Sequence, residues 1–223
     1  MDDMTKHPPT KAEPHDYLPA AGRDGLLPFY DLLSLVSGGA KLHRRLVEQA
    51  GLAAGQRVLE IGCGTGNLSI RAKRAEPGIE LVGSDPDPLA LARARRKARG
   101  LTGISFERGY AQQLPYPDAS FDRVLSSLML HHLDHDAKVA TAAEVVRVLR
   151  PGGSLHVVDF DGDLHGMHGV LAKRVVKSGH AGDNKGDGLL RLFGAAGLDC
   201  VKEGTHRHRV MGEVVFYRAI RPA

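Results

Sequence analysis

Hydrophobic positions in this chain recur first at helical spacing and then as short runs broken by turns. Leu32, Leu33 and Val36 form one stripe, and Leu42, Leu46 and Val47 resume it after Gly38-Gly39, so 26–51 reads as helix interrupted by glycines. A Gly-Leu-Ala-Ala-Gly turn at 51–55 leads into an apolar strand at 57–61. The pattern then alternates: helix at 66–75, strand at 79–84, Ala/Arg-rich helix at 87–99, strand at 104–108, a long loop, strand at 121–127, helix at 135–149 and strand at 154–159. The helix at 135–149 is expected to bury Val139, Ala142, Ala143, Val146 and Leu149, and to stop at Arg150-Pro151-Gly152-Gly153. Proline cannot continue a helix, and glycine permits the sharp turn that follows. After a further helical stretch (189–196), two strand-like runs at 198–202 and 210–219 close the chain. Such alternation predicts βαβ units in an α/β fold: a doubly wound, mostly parallel, seven-stranded sheet with helices on both faces and an antiparallel C-terminal hairpin strand.

Two segments stand outside this rhythm. Residues 1–25 hold Pro8, Pro9, Pro14 and Pro19 with little periodicity, and read as a flexible N-terminal arm. Residues 160–185, rich in Gly, His and Asp, are a candidate substrate lid. The remainder, 26–223, reads as one domain whose first part, 26–50, is a helical cover.

Composition narrows the class. At 223 residues the chain can bury one good core but is short for two full domains. No apolar run approaches the roughly 20 residues that cross a bilayer, and Met1 to Lys11 lacks a signal peptide's basic-then-apolar layout, so a cytoplasmic protein is expected. Cys63 and Cys200 form neither a disulfide framework nor a zinc spacing. The net charge of +4 permits an acidic partner without demanding one. The local run Arg93, Arg95, Arg96, Lys97 and Arg99 has no interleaved aromatics for base stacking and reads as a solvated helix face.

Candidate chemistry begins at Glu60-Ile61-Gly62-Cys63-Gly64-Thr65-Gly66-Asn67. Glycines directly after an apolar strand let the chain turn sharply and let a ligand lie against bare backbone. The helix that follows presents free N–H groups to anionic ligand atoms. A dinucleotide fingerprint requires Gly-x-Gly-x-x-Gly, yet the sixth position here is Asn67. About twenty residues on, Asp85 ends the next strand, where a carboxylate can accept from both hydroxyls of a ribose. It can equally cap the following helix, and Pro86 and Pro88 constrain the turn.

Over 29–160 the chain resembles the class I S-adenosylmethionine-dependent methyltransferases, a Rossmann-like group, and most resembles their ubiquinone/menaquinone-biosynthesis type. The resemblance rests on five segments in order: Glu60 to Gly66, Asp85, Gly109 to Asp122, Ser126 to Leu133, and Leu149 to Gly153. It implies S-adenosyl-L-methionine as cofactor, held by Tyr30, Glu60, Ile61, Gly62, Cys63, Gly64, Gly66, Asp85, Pro86, Tyr110, Ala111, Gln112, Ser126 and Leu128. Tyr30 lies in a segment, Phe29 to Leu33, that resembles the family's N-terminal cover; packing in the core is its other reading. Where the family has an aspartate that receives the adenine amino group this chain has Tyr110, which either stacks beside the adenine or leaves that contact to Gln112.

The implied reaction is in-line displacement at a sulfonium methyl, onto a small-molecule acceptor that the residues do not name. A base is needed only where the acceptor loses a proton. His131 and His132, and less readily Asp159, sit where one would act. His131, His132 and His135 cluster, as do His206 and His208, but neither group brings the carboxylates or thiolates that complete a zinc site, and no metal is expected. Three rivals stay open: a nucleic-acid methyltransferase, although the Pro-Pro-Tyr and Pro-Cys signatures of nucleobase chemistry are lacking; a non-catalytic S-adenosylmethionine-binding module; and a nicotinamide oxidoreductase.

Overall fold

The computed structural model describes residues 39–160, 186–208 and 212–223. Helix α1 (Gly39–Ala50) leads into β1 (Arg57–Ile61). There follow α2 (Asn67–Ala75), β2 (Glu80–Asp85), α3 (Pro88–Lys97), β3 (Ile104–Arg108) and β4 (Phe121–Ser127). The chain continues through α4 (His135–Val148), β5 (Leu149–Phe160), α5 (Gly188–Ala195), β6 (Asp199–His208) and β7 (Gly212–Ile220). Among the described residues, seven strands form one sheet in the order β3-β2-β1-β4-β5-β7-β6. The first five are mutually parallel, and β7 runs antiparallel to both β5 and β6. From β1 the chain winds outward to β2 and β3, then returns to the other side of β1 as β4. The strand order therefore reverses between β1 and β4, which opens a crevice at their carboxyl ends.

Period-two alternation sends successive strand residues to opposite faces, and two cores result. On one face Val58, Leu125, Val158 and Phe216 pack against Leu42 and Leu46 of α1 and Leu68 and Ala72 of α2. On the other, Leu59, Ile61, Val124, Leu155 and Val157 meet Ala142, Val145 and Val148 of α4 and Phe193 of α5. A smaller cluster of Cys63, Ile70, Leu91, Ala94 and Phe106 seats α3 beside the glycine loop.

The structure corrects several expectations. Helix α4 buries Lys138, Thr141, Ala142, Val145 and Val148, whereas Val139 is 48% exposed, Ala143 is exposed and Val146 is half-buried. The buried stripe is displaced by about one residue because Leu149 does not belong to the helix. Its backbone is extended and it opens β5 by pairing with Phe121. The helix therefore ends at Val148, three residues before Pro151. Arg150 to Gly153 are absorbed as a register irregularity at the start of β5, where Gly152 takes φ 73°. Backbone bonds from Gly152 to Arg221 and from Arg221 to Gly153, each 2.9 Å, hold that irregularity against the chain after β7. Arg221 Nη1 also donates to the carbonyl of Val146 in the last turn of α4 and to that of Leu149 just beyond it. The hairpin strand β6 runs to His208, six residues beyond its expected end. The N-terminal arm (1–25), the cover before Gly39 with Tyr30, and the lid segment apart from Phe160 lie outside the described residues.

Phe121 anchors the β4–β5 junction. It is fully buried, meets Tyr116 edge-on at 5.1 Å, and lies under the Arg57 guanidinium. Phe121→Ala is expected to cost about 3–5 kcal/mol, read as a lower urea midpoint with an unchanged m-value.

Candidate cofactor site

The crevice is built from the loop after β1. Gly62, Gly64 and Gly66 all lie in the left-handed region, at φ 67°, 50° and 76°. At Gly62 the requirement is also one of space: a Cβ there would stand 2.2 Å from Cγ of Met129, on the loop leaving β4. At Gly66 a Cβ would crowd Phe106 and Ala94, so this glycine lets α2 start close against α3. The loop is pinned to β2 by Cys63 N–H donating to the Ser84 carbonyl at 3.0 Å.

Asp85 faces the same loop. Its Oδ2 accepts from Gly64 N–H at 2.7 Å and its Oδ1 from Asp87 N–H at 2.9 Å. Burial raises its pKa against the pull of these two donors. The capping role open to Asp85 falls instead to Asp87, whose Oδ1 accepts from Leu89 and Ala90 at the start of α3. Asp85 therefore faces the glycine loop instead of capping α3. Half-buried Pro86 continues this wall. Gly109 N–H bonds back to the Asp85 carbonyl, and Tyr110, Ala111, Gln112 and Gln113 then form a tight turn closed by Gln113 N–H on the Tyr110 carbonyl. In that turn Tyr110 is half-buried, Ala111 packs against the α4-side core and Gln112 is exposed.

Glu60 is buried among the strands and accepts from the Ser69 hydroxyl on α2. Burial pushes its carboxyl up to about 8, with the Ser69 hydroxyl pulling the other way. Ile61 is fully buried, and burial also pushes the Cys63 thiol well up, so Cys63 is a packed, unreactive residue. At the end of β4 the hydroxyls of Ser126 and Ser127 are buried without a hydrogen-bond partner in the described structure. Leu128 follows at φ 54°, a left-handed conformation rare for a branched side chain. Its N–H reaches the Val158 carbonyl at 2.8 Å, which turns the chain into the 3₁₀ turn Leu130–His132.

That turn joins two residues considered separately in the sequence. His131 Nδ1 lies 2.8 Å from Oδ1 of Asp159, both residues buried. Asp159 also accepts from the N–H groups of Leu130 and Phe160. Burial pushes the Asp159 carboxyl up, but the His131 ring and the Phe160 N–H outweigh it and hold the group below the ordinary carboxylate range. An ionised Asp159 can only accept, so the contact fixes the His131 ring with its Nδ1–H toward Asp159 and Nε2 facing away. His132 stacks on His131 at 4.0 Å between ring centroids but is itself exposed. The structure thus separates the pair into an oriented ring and an outer one.

Three contributors escaped the sequence reading: Met129, which fills the space at Gly62; Asp87, the helix cap; and Lys97, whose Nζ donates to Thr65 Oγ1 at 3.0 Å and Asn67 Oδ1 at 2.6 Å. Only Asp87 left a sequence signal, an aspartate directly before Pro88 at a helix start. Lys97 was grouped with a solvated face, because reach back to a loop thirty residues earlier has no local pattern.

A glycine-turned loop at the reversal point of a doubly wound sheet, faced by a buried carboxylate on the next strand, defines an α/β protein that binds a nucleoside cofactor. Residues 58–153 match the family described as a methyltransferase domain. The chain is 39% identical over 151 residues to a demethylmenaquinone methyltransferase of Thermus thermophilus, an alignment covering 66% of this chain and 67% of that protein. It is 40% identical over 152 residues to a Deinococcus radiodurans protein of the same name, covering 66% and 61%. Its fold is shared with phosphoethanolamine N-methyltransferase 2 of Haemonchus contortus, solved with phosphomonomethylethanolamine and S-adenosylhomocysteine. That match has a TM-score of 0.75 at 18% identity and covers 91% of this chain and 58% of the other. The chain belongs to the class I S-adenosylmethionine-dependent methyltransferases of the ubiquinone/menaquinone-biosynthesis type.

The buried titrations set opposite pH slopes. Glu60, raised to about 8 from 4.5, contributes stability that is complete below 4.5 and is lost as pH rises through 8. His156 on β5 lies between Ser154 Oγ at 2.9 Å and Gln49 Nε2 at 3.3 Å. Burial and then Arg123 and Arg218 lower it from 6.5 to about 3, so its contribution is complete above 6.5 and lost as pH falls through 3. Between these limits, from pH 6.5 to 8, Glu60 alone sets a falling slope of the two. Urea unfolding of Glu60→Gln is expected to lose that fall and to leave the acid-side loss in place.

Proposed function

We propose that this chain methylates a demethylated quinone in its reduced, phenolic form, with His131 as the base and Asp159 as its positioning residue. The observation that carries the catalytic part is the buried 2.8 Å contact between His131 and Asp159 at the carboxyl edge of β4 and β5. The names of the two bacterial relatives support the acceptor.

The residues present suit S-adenosylmethionine. The left-handed glycines leave backbone bare at the loop, the Asp85 carboxylate is available to ribose hydroxyls, and two buried serine hydroxyls await a polar partner. In this reading Gly62, Cys63, Gly64 and Gly66 line the amino-acid end with Glu60 and Ile61 behind them. Asp85 and Pro86 hold the sugar, Tyr110, Ala111 and Gln112 border the adenine, and Ser126 and Leu128 flank the reacting centre; Tyr30 belongs to the cover. Bound there, the cofactor supplies an electrophilic methyl on a positive sulfur. Methylation at a ring carbon of a hydroquinone releases one proton overall. His131 Nε2 takes it, while Asp159 keeps the other ring nitrogen protonated and steadies the charge that develops on the ring. Exclusion of water and alignment of the acceptor carbon supply the rest.

Two measurements test the parts separately. Asp85→Asn is expected to weaken S-adenosylmethionine binding by about tenfold or more, as loss of a charge-assisted hydrogen bond does; an unchanged Kd by calorimetry removes Asp85 from the site. With demethylmenaquinol as acceptor, His131→Gln is expected to lower kcat about a hundredfold or more without moving the cofactor Kd. Asp159→Asn, which keeps the size of the side chain but removes its charge and one acceptor oxygen, is expected to lower kcat with little change in KM. Failure of the wild-type protein to methylate any phenolic quinol rejects the acceptor.

A further inference from the structure

A second concave site lies away from the crevice, on the outer side of α1 and α2. It is a cleft of about 630 Å³, within the range of small-molecule pockets. Among the described residues it is lined by apolar Val47 and Ile70 and by Arg44, Arg71, Arg74 and Lys97, with Glu48 as the carboxylate. Three arginines lining one hollow repel one another, and a multiply charged anion among them would relieve that repulsion.

The cations are also under-used. Arg44, Arg71 and Arg74 form no hydrogen bond or ion pair among the described residues, whereas Arg147, Arg150 and Arg218 elsewhere each hold a carboxylate. Nε of Arg71 is buried with no hydrogen-bond partner among the described residues. A buried guanidinium N–H without an acceptor is an expensive vacancy in a hydrogen-bond network. His43, also in the lining, independently reports the local field: burial first, and then Arg71 and Lys97, lower it to about 4, so it stays neutral and adds no charge at neutral pH.

We propose that this cleft binds a phosphoryl group, most favourably a diphosphate, with Arg71 and Arg74 as its principal ligands. The guanidinium fork donates two parallel hydrogen bonds to phosphate oxygens, and Arg71 and Arg74 stand three residues apart on α2, on one helix face. Arg44 approaches from α1, across the cleft. A diphosphate spreads enough charge to meet three arginines, and the apolar lining accepts an organic portion attached to it. The same chemistry is offered by a soluble diphosphate and by the headgroup of an anionic phospholipid. The inference is independent of the quinone reading, since it uses none of the residues assigned to methyl transfer.

The test uses the full chain. Inorganic pyrophosphate is titrated by calorimetry into wild type and into the Arg71→Gln/Arg74→Gln double variant, in the absence and presence of saturating S-adenosylhomocysteine. In parallel, sedimentation with phosphatidylcholine vesicles is compared with and without phosphatidylglycerol. Wild type is expected to bind pyrophosphate in a salt-dependent way, and the double variant about tenfold or more weakly. The variant's urea midpoint without ligand is expected to be equal or higher, since like charges are removed. Arg71→Lys is expected to fall between the two, because a point charge replaces the fork. Pyrophosphate binding without vesicle binding assigns the site to a soluble ligand; phosphatidylglycerol-dependent sedimentation that the double variant loses assigns it to a lipid headgroup. The proposal is overturned if neither probe binds, or if the double variant binds as wild type does. Competition of pyrophosphate with S-adenosylhomocysteine also overturns it, by showing that the anion occupies the cofactor crevice instead.

Discussion

The site depends on how closely two loops approach where the strand order reverses. β1 and β4 are neighbours in the sheet, and each ends in a left-handed residue, Gly62 after one and Leu128 after the other. Met129 then fills the place a side chain at position 62 would take. Without that packing the loop would be free to close over the crevice. With it, the glycine loop is propped between β2 and the β4 turn, and the amide of Gly64 is presented to Asp85. The left-handed Leu128 is tolerated because its N–H is fixed on Val158 and its side chain packs against the α1–α2 core. Strain of this kind persists only where the surroundings over-determine the backbone.

Three buried carboxylates line the carboxyl edge of the sheet, and the donors around each set its character. Glu60 draws its donors from Ser69 alone, through the hydroxyl and the backbone N–H, and is raised to about 8. Asp85 has two backbone N–H donors and is raised as well. Asp159 has two backbone donors and an imidazole, and it alone of the three is lowered. Burial acts on all of them in one direction; the count and charge of donors decide whether it wins. One edge of the sheet therefore offers a neutral acid, a carboxylate facing the loop and a firmly ionised carboxylate holding a histidine. That is a division of roles achieved by second partners and not by residue type.

Much of this was legible in the sequence, for identifiable reasons. Strand 57–61 has the expected limits because a buried parallel strand is an apolar run closed by glycine or charge, and strands 104–108 and 121–127 match theirs although β3 is a mostly exposed edge strand. The glycine loop and Asp85 were legible because their chemistry is local. What failed was long-range. The face of α4 was misjudged because Leu149 resembles a last helical residue until Phe121 claims it for the sheet. The burial of Lys138 and Thr141 in that helix opposes every hydrophobic pattern. The pairing of His131 with Asp159, twenty-eight residues apart, follows only from β5 lying beside β4.

The same contrast bears on how a shared fold hosts different substrates. Sheet order, glycine loop and Asp85 are elements that a class I methyltransferase needs whatever its acceptor, since they serve the donor side. The His131–Asp159 pair sits on the neighbouring strands, β4 and β5, where a change of residue alters the proton chemistry without disturbing the loop after β1. The arginine-lined cleft lies on helices that bury their other faces in the core, so its charges vary at little cost to packing. The three sites rest on different parts of the scaffold: backbone geometry for the cofactor loop, strand adjacency for the proposed base, and α1 and α2 for the proposed anion cleft. Substitution in one is insulated from the others except through Lys97, which lines the cleft and also grips Thr65 and Asn67 beside the glycine loop.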